Sequence, residues 1–193
     1  MSLEQIKNLR DKTGAGIVDV KKALQEAGGD AEKAIMILRK KGQEKAIKKS
    51  ERSAKEGVIA SYIHSNGKVG AMVKLFCETD FVARTDEFKE LARDLAMHIT
   101  AANPKYLKPD QVPAKIIEKE KEIWVAQLER EGKPKNIIRK ALEGKEKKFR
   151  EETALLTQPF IKNPDLTIGE IVAEKIGKIG ENIQIGDFSR FEL

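Results

Sequence analysis

The 193-residue sequence predicts an α+β protein: an N-terminal three-helix module, then a three-stranded antiparallel sheet with helices and a protruding antiparallel helical hairpin. Three observations carry that expectation. Apolar residues recur at helical spacing as far as Gly42. Period-two alternation begins at Val58 and returns near the C-terminal end. Between Pro113 and Arg150 a narrow apolar seam runs through dense Glu and Lys, the pattern of two antiparallel helices.

Ser2 and Gln5 form an S-x-x-Q capping box that opens the first helix, with Leu3, Ile6 and Leu9 on one face. Gly14 and Gly16 break it, and Val20, Ala23, Leu24 and Ala27 then follow at helical spacing until Gly28-Gly29. Asp30 caps the third helix, with Ala31, Ala34, Ile35 and Leu38 inward. Arg39, Lys40 and Lys41 suit its negative C-terminal end before Gly42. Residues 1–42 therefore read as a small module with a thin core, better suited to docking than to catalysis. Residues 43–56 are polar and strongly charged, and read as the connection to an α+β core over 57–193.

That core opens on a hairpin. Val58, Ile59, Tyr62 and Ile63 occupy one strand, and Val69, Ala71, Val73, Leu75 and Cys77 alternate along the next. Asn66-Gly67 between them predicts a tight turn with two positive-φ residues. Thr85 caps a helix with Asp86 and Glu87 in its first turn and Phe88, Leu91, Leu95 and Ile99 in a buried stripe. Asn103-Pro104 ends it. Thr79-Asp80-Phe81-Val82-Ala83-Arg84 is left between a strand that has run out and a helix that has not begun. An acid beside a large aromatic at such a corner suits a probe inserted into another molecule. Phe81 and Val82 capping the core suits it as well, since most Phe residues are buried.

The helical hairpin, 113–150, carries Ile116, Ile117, Ile123, Trp124 and Leu128 before Gly132-Lys133-Pro134, and Ile138, Leu142 and Phe149 after it. Trp124 fits the seam, with a partner contact as the other reading. Thr167 and Glu170 form a second capping box ahead of Ile168, Ile171, Val172, Ile176 and Ile179, and Gly180 closes that helix. The last strand runs through Ile183, Ile185, Phe188, Phe191 and Leu193, with a phase slip near Gly186 that predicts a bulge.

Composition narrows the function. Apolar content of 40% and charged content of 35% describe a globular chain with a heavily solvated surface. No run approaches a membrane span, and Met1-Ser2-Leu3 enters amphipathic helix without a signal or transit segment, so a cytoplasmic location is expected. Cys77 is alone and lies mid-strand in an apolar context, as a small core residue would. The net charge of +6 gathers over residues 39–56 and 115–150, where bases outnumber acids 8 to 3 and 12 to 7. A basic ribosome-associated RNA-binding protein is the alternative this suggests. Acids interleave throughout, however, and seven Phe, two Tyr and one Trp supply few stacking platforms, so direct nucleic-acid recognition is not expected. A scaffold or chaperone using the helical hairpin is a further rival.

Groups for catalysis do not converge. His64 and His98 lack a His or Cys partner at metal-ligand spacing. Thr13-Gly14-Ala15-Gly16 lies between helices and lacks a Walker-type ending. No catalytic residue, resident metal or cofactor is expected; the chain reads as a protein that acts by binding.

Two segments resemble one family. Leu9-Arg10-Asp11-Lys12-Thr13-Gly14-Ala15-Gly16-Ile17-Val18-Asp19-Val20-Lys21-Lys22-Ala23-Leu24 resembles the opening signature of the bacterial elongation factor Ts family, and Thr79-Asp80-Phe81-Val82-Ala83-Arg84 its second. Gly180-Glu181-Asn182-Ile183 and Arg190-Phe191-Glu192 resemble its usual ending. The resemblance covers essentially the whole chain, in a short form with a single core.

It implies that residues 1–42 are a ubiquitin-associated-like module and that the rest is a dimerisation core. It also implies a guanine-nucleotide exchange activity, release of GDP from elongation factor Tu, which is bound both with GDP and nucleotide-free. By the resemblance, Thr79, Asp80, Phe81 and Val82 dislodge Mg²⁺ from that partner, and Thr13, Gly14, Ala15, Gly16, Lys21 and Lys22 take part in docking. Longer members carry a duplicated core, so a single-core chain implies a homodimer, with the C-terminal strand and helix as the expected interface.

Overall fold

A computed structural model describes residues 2–193. In chain order the first elements are α1 (Leu3–Thr13), α2 (Ile17–Glu26), α3 (Ala31–Lys49), β1 (Glu56–Ile63), β2 (Val69–Cys77), α4 (Asp80–Arg84) and α5 (Asp86–Ala102). They are followed by α6 (Ala114–Arg130), α7 (Lys135–Thr153), β3 (Pro159–Phe160), β4 (Asn163–Thr167), α8 (Ile168–Ile179) and β5 (Gln184–Glu192). The chain divides into two compact units, one made of the chain up to Met97 with Gly169–Leu193, the other of His98–Ile168.

In the first unit the predicted α+β arrangement is present. β2 is the central strand of an antiparallel sheet with order β1-β2-β5. Its Ala71, Val73, Leu75 and Cys77 are buried on one face, while Met72 and Lys74 are exposed on the other. A register shift between Val73, opposite Phe188, and Leu75, opposite Ile185, places the bulge at Gly186-Asp187 where the phase slip predicts it. Lys74 Nζ reaches the Asp187 carboxylate there, at 2.8 Å. The N-terminal helices pack around Leu9, Val20, Ala23, Leu24, Ala34 and Leu38. Ser2 and Gln5 make the reciprocal capping box, and Asp30 accepts from Glu32 and Lys33 N–H groups.

Four local expectations change. Leu3 is 87% exposed: of that face, Leu9 packs into the helical core and Ile6 does so in part. Helix α3 does not stop at Gly42 but continues to Lys49. One interior Gly costs a helix only about 1 kcal/mol, and the Gln, Glu, Lys and Ala that follow are good helix formers. In the β1–β2 loop only Gly67 has a positive φ, 66°. Its N–H donates to His64 O, so residues 64–67 form the turn and Gly67, its last residue, takes the left-handed place. Asn66 instead accepts from Lys68 N–H through Oδ1. Finally, Asp80–Arg84 is a helix of its own, α4.

The second unit holds the helical hairpin and the short β3–β4 pair, which is too brief to show an alternating pattern. Ile117, Trp124, Leu128 and Ile138 form its buried seam, and Trp124 meets Phe149 edge-on at 5.8 Å between ring centroids. Ile116 and Ile123 face outward. Glu146 accepts from Lys121 across the seam and from Arg150 along α7, and Arg150 also donates to the Pro109 and Val112 carbonyls.

Candidate partner-binding site

Strand β2 delivers its last residue, Cys77, into the core with no exposed surface. Burial, reinforced by the nearby Glu181 charge, pushes the Cys77 thiol up to about 11. It is a packing residue whose Sγ donates to Thr79 O. The next residue but one, Thr79, is extended and caps α4: its hydroxyl accepts from Val82 N–H at 3.4 Å. Ala83 anchors α4 to the core, and Thr85 ends it by donating its N–H and hydroxyl to Val82 O. Thr85 Oγ1 then accepts from Phe88 N–H, so one residue closes α4 and caps α5.

This short, doubly capped turn displays Phe81 with 78% of its surface exposed. The core-capping reading of Phe81 is thereby excluded, while Val82 is half-buried beside it. Asp80 lies in the first turn of α4 and pairs with Arg84 at 2.9 Å. An apolar ring is held in water and flanked by a carboxylate.

The residue that holds this turn from behind is Glu181, in the connection between α8 and β5. Its Oε2 accepts from both Glu78 and Thr79 N–H at 3.0 Å, and its Oε1 accepts from the Thr79 hydroxyl at 2.6 Å. Glu78 replies by accepting from Asn182 N–H at 2.6 Å. Asn182, itself buried, donates through Nδ2 to Arg52 O and Ser50 O at the end of α3. Sequence reading assigned no role to Glu181 or Asn182. Only the Gly180-Glu181-Asn182 motif marked them, because their partners lie about a hundred residues away in the chain.

The second predicted group divides. Thr13, Gly14, Ala15 and Gly16 line a crevice with Leu38, Arg39 and Gly42 of α3 and Gly177 and Lys178 of α8. Lys21 and Lys22 are exposed on α2, as are Ile17 and Val18, which add apolar surface to the same helix. Helix α8 joins the two groups: Lys178 packs against Gly14, and Glu181, just beyond its end, holds Thr79. Glu87 ties that helix down by accepting from Lys175 and Lys178; these bonds outweigh the upward push of burial and keep its carboxyl below the usual range. Among the described residues no cluster of His, Cys, Asp or Glu is placed to hold a metal ion, and no helix is long and apolar enough to cross a membrane.

The chain is an α+β protein that carries an exposed aromatic on a capped, clamped turn at the end of a buried strand. A family model described as elongation factor TS matches residues 6–193. Similar curated proteins include elongation factor Ts of Carboxydothermus hydrogenoformans, 56% identical over 190 residues, 98% of this chain and 88% of that protein. Elongation factor Ts of Fervidobacterium nodosum is 52% identical over all of this chain and 98% of its own length. That of Koribacter versatilis is 51% identical over all of this chain and 88% of its own. The chain belongs to the elongation factor Ts family, and its role lies in translation elongation.

Proposed function

We propose that this protein is a guanine-nucleotide exchange factor that binds elongation factor Tu·GDP and releases GDP by disturbing the partner's Mg²⁺ site. The observation that carries this reading is Phe81, 78% exposed on a turn capped at both ends. Such a probe loses little conformational freedom on docking. Burying a Phe side chain in the partner yields about 1.5–3 kcal/mol, enough to weaken a bound nucleotide by roughly tenfold to a hundredfold. Mg²⁺ demands near-octahedral geometry, so a small displacement of the groups around it is costly. Thr79 caps the probe, Phe81 and Val82 wedge, and Asp80 brings negative charge towards the metal.

The N-terminal helices dock on the partner, with Lys21 and Lys22 in direct contact and Thr13, Gly14, Ala15 and Gly16 shaping the loop that precedes them. The protein makes and breaks no covalent bond in this role, needs no cofactor, and works in the cytoplasm. Linkage requires nucleotide and exchange factor to weaken each other equally, so the nucleotide-free partner is bound most tightly.

Two copies pair through the outer face of the sheet. Ile59, Ile63, Met72, Phe191 and Leu193 are all exposed on or beside it, an apolar surface contributed partly by the C-terminal strand. Light scattering should give twice the chain mass, and Phe191→Asp should return it to one; a monomeric parent would remove this assembly.

The test of the exchange function is release of a fluorescent GDP analogue from elongation factor Tu at several Mg²⁺ concentrations. Acceleration opposed by high Mg²⁺ is expected. Acceleration insensitive to Mg²⁺ would discard the metal step, and no acceleration of an active partner would discard the function.

A further inference from the structure

The geometry points to Glu181 as a positioning residue for the probe: its carboxylate holds the Thr79 cap in the orientation that keeps α4 folded and Phe81 presented. This rests on the exchange-factor reading above. A hydroxyl has one proton to donate and lone pairs with which to accept. Thr79 donates its proton to Glu181 Oε1 at 2.6 Å, which leaves the oxygen's lone pairs to accept from Val82 N–H at 3.4 Å. With the carboxylate present, the hydroxyl is forced into the role of cap acceptor.

The second carboxylate oxygen fixes the preceding backbone by accepting from Glu78 and Thr79 N–H. Three charge-assisted bonds thus converge on one side chain, and such bonds are the strong ones. Helix α4 is a single turn of five residues, too short to be stable without its cap. Glu181 acts through its bonds to Glu78 and Thr79, so its contribution is to the fraction of molecules whose probe is correctly placed. Asn182 and Glu78 complete the clamp by tying the same connection to the end of α3.

Glu181→Gln tests this. An amide offers one acceptor oxygen where the carboxylate offers two; with that oxygen on the backbone N–H groups its NH₂ meets the Thr79 hydroxyl, which must turn its proton away and accept from the amide as well as from Val82 N–H. The expected result is a fall of about tenfold in the maximal GDP release rate at saturating protein, equivalent to about 1.4 kcal/mol, with the half-saturating concentration changed less than about threefold. In the free protein, amide exchange at Val82 and Ala83 should quicken by about tenfold while Leu75 in β2 stays protected.

Thr79→Val supplies a second variant should the first fold poorly, and the double variant should lose less than the product of the two single losses. Wild-type maximal rate in Glu181→Gln, multiplicative losses, or unchanged protection at Val82 would each overturn the assignment. If the parent protein itself failed to accelerate GDP release, the exchange reading would fall. Amide exchange would then decide the clamp by itself.

Discussion

Gly14 leaves the space that Lys178 fills: a Cβ at position 14 would stand 2.8 Å from Lys178 Cδ. Gly14 also has φ 64°, where an L side chain is strained, and its N–H closes α1 by donating to Arg10 O. Gly14→Ala should therefore destabilise the protein by about 1–2 kcal/mol. Urea unfolding measures it, and a variant as stable as the parent would show that the contact with α8 adjusts freely.

Phe81→Ala should remove most of the GDP-release activity on elongation factor Tu while leaving the thermal midpoint nearly unchanged. The ring is largely in water, so its removal opens no cavity. A variant that unfolds, or one that exchanges nucleotide at the full rate, would contradict the assignment of Phe81 as the wedge.

His98 makes stability depend on pH. It is fully buried, its Nε2 lies 3.0 Å from Gln158 Oε1, and Gln158 Nε2 donates to Glu152 O, which fixes the amide orientation. The Nε2 therefore carries the proton, and Nδ1 has no hydrogen-bond partner among the described residues. Burial lowers the His98 pKa despite the opposing bond to Gln158. Below the unfolded value of about 6.5 the unfolded chain binds more protons than the folded one. This contribution to stability is complete above that pH and declines as pH falls through it towards the folded pKa. Urea midpoints at pH 7.5 and pH 5.5 should differ in that sense, and His98→Gln should flatten the dependence.

Gly42 and Gly144 lie inside α3 and α7, have ordinary helical backbone, and would carry a Cβ into open space. Each Gly→Ala change should stabilise the protein by about 0.5–1 kcal/mol, since glycine loses the most backbone freedom on folding. A lower thermal midpoint for Gly42→Ala would show that α3 uses its glycine for something other than continuity.

Much of the fold was legible because local chemistry settles it. The Ser2–Gln5 box, the Asp30 and Thr85 caps, the end of α5 at Asn103 and the bulge at Gly186 all depend on neighbours close in sequence or on a phase that the sequence displays. What escaped was either too short or decided elsewhere. A five-residue helix has no period to read, so α4 looked like a bare corner. Helix α3 passed through Gly42 because its flanks outweigh one unfavourable residue.

By itself the sequence determined the strand that ends at Cys77, the helix that begins after Thr85 and the motif between them, because caps and alternation act over a few residues. It also carried the family likeness that the comparisons establish. Tertiary structure alone decided that Phe81 faces water and that Glu181 holds Thr79. Exposure is set by what packs against a side chain, and here the packing comes from a segment that only the folded chain brings alongside.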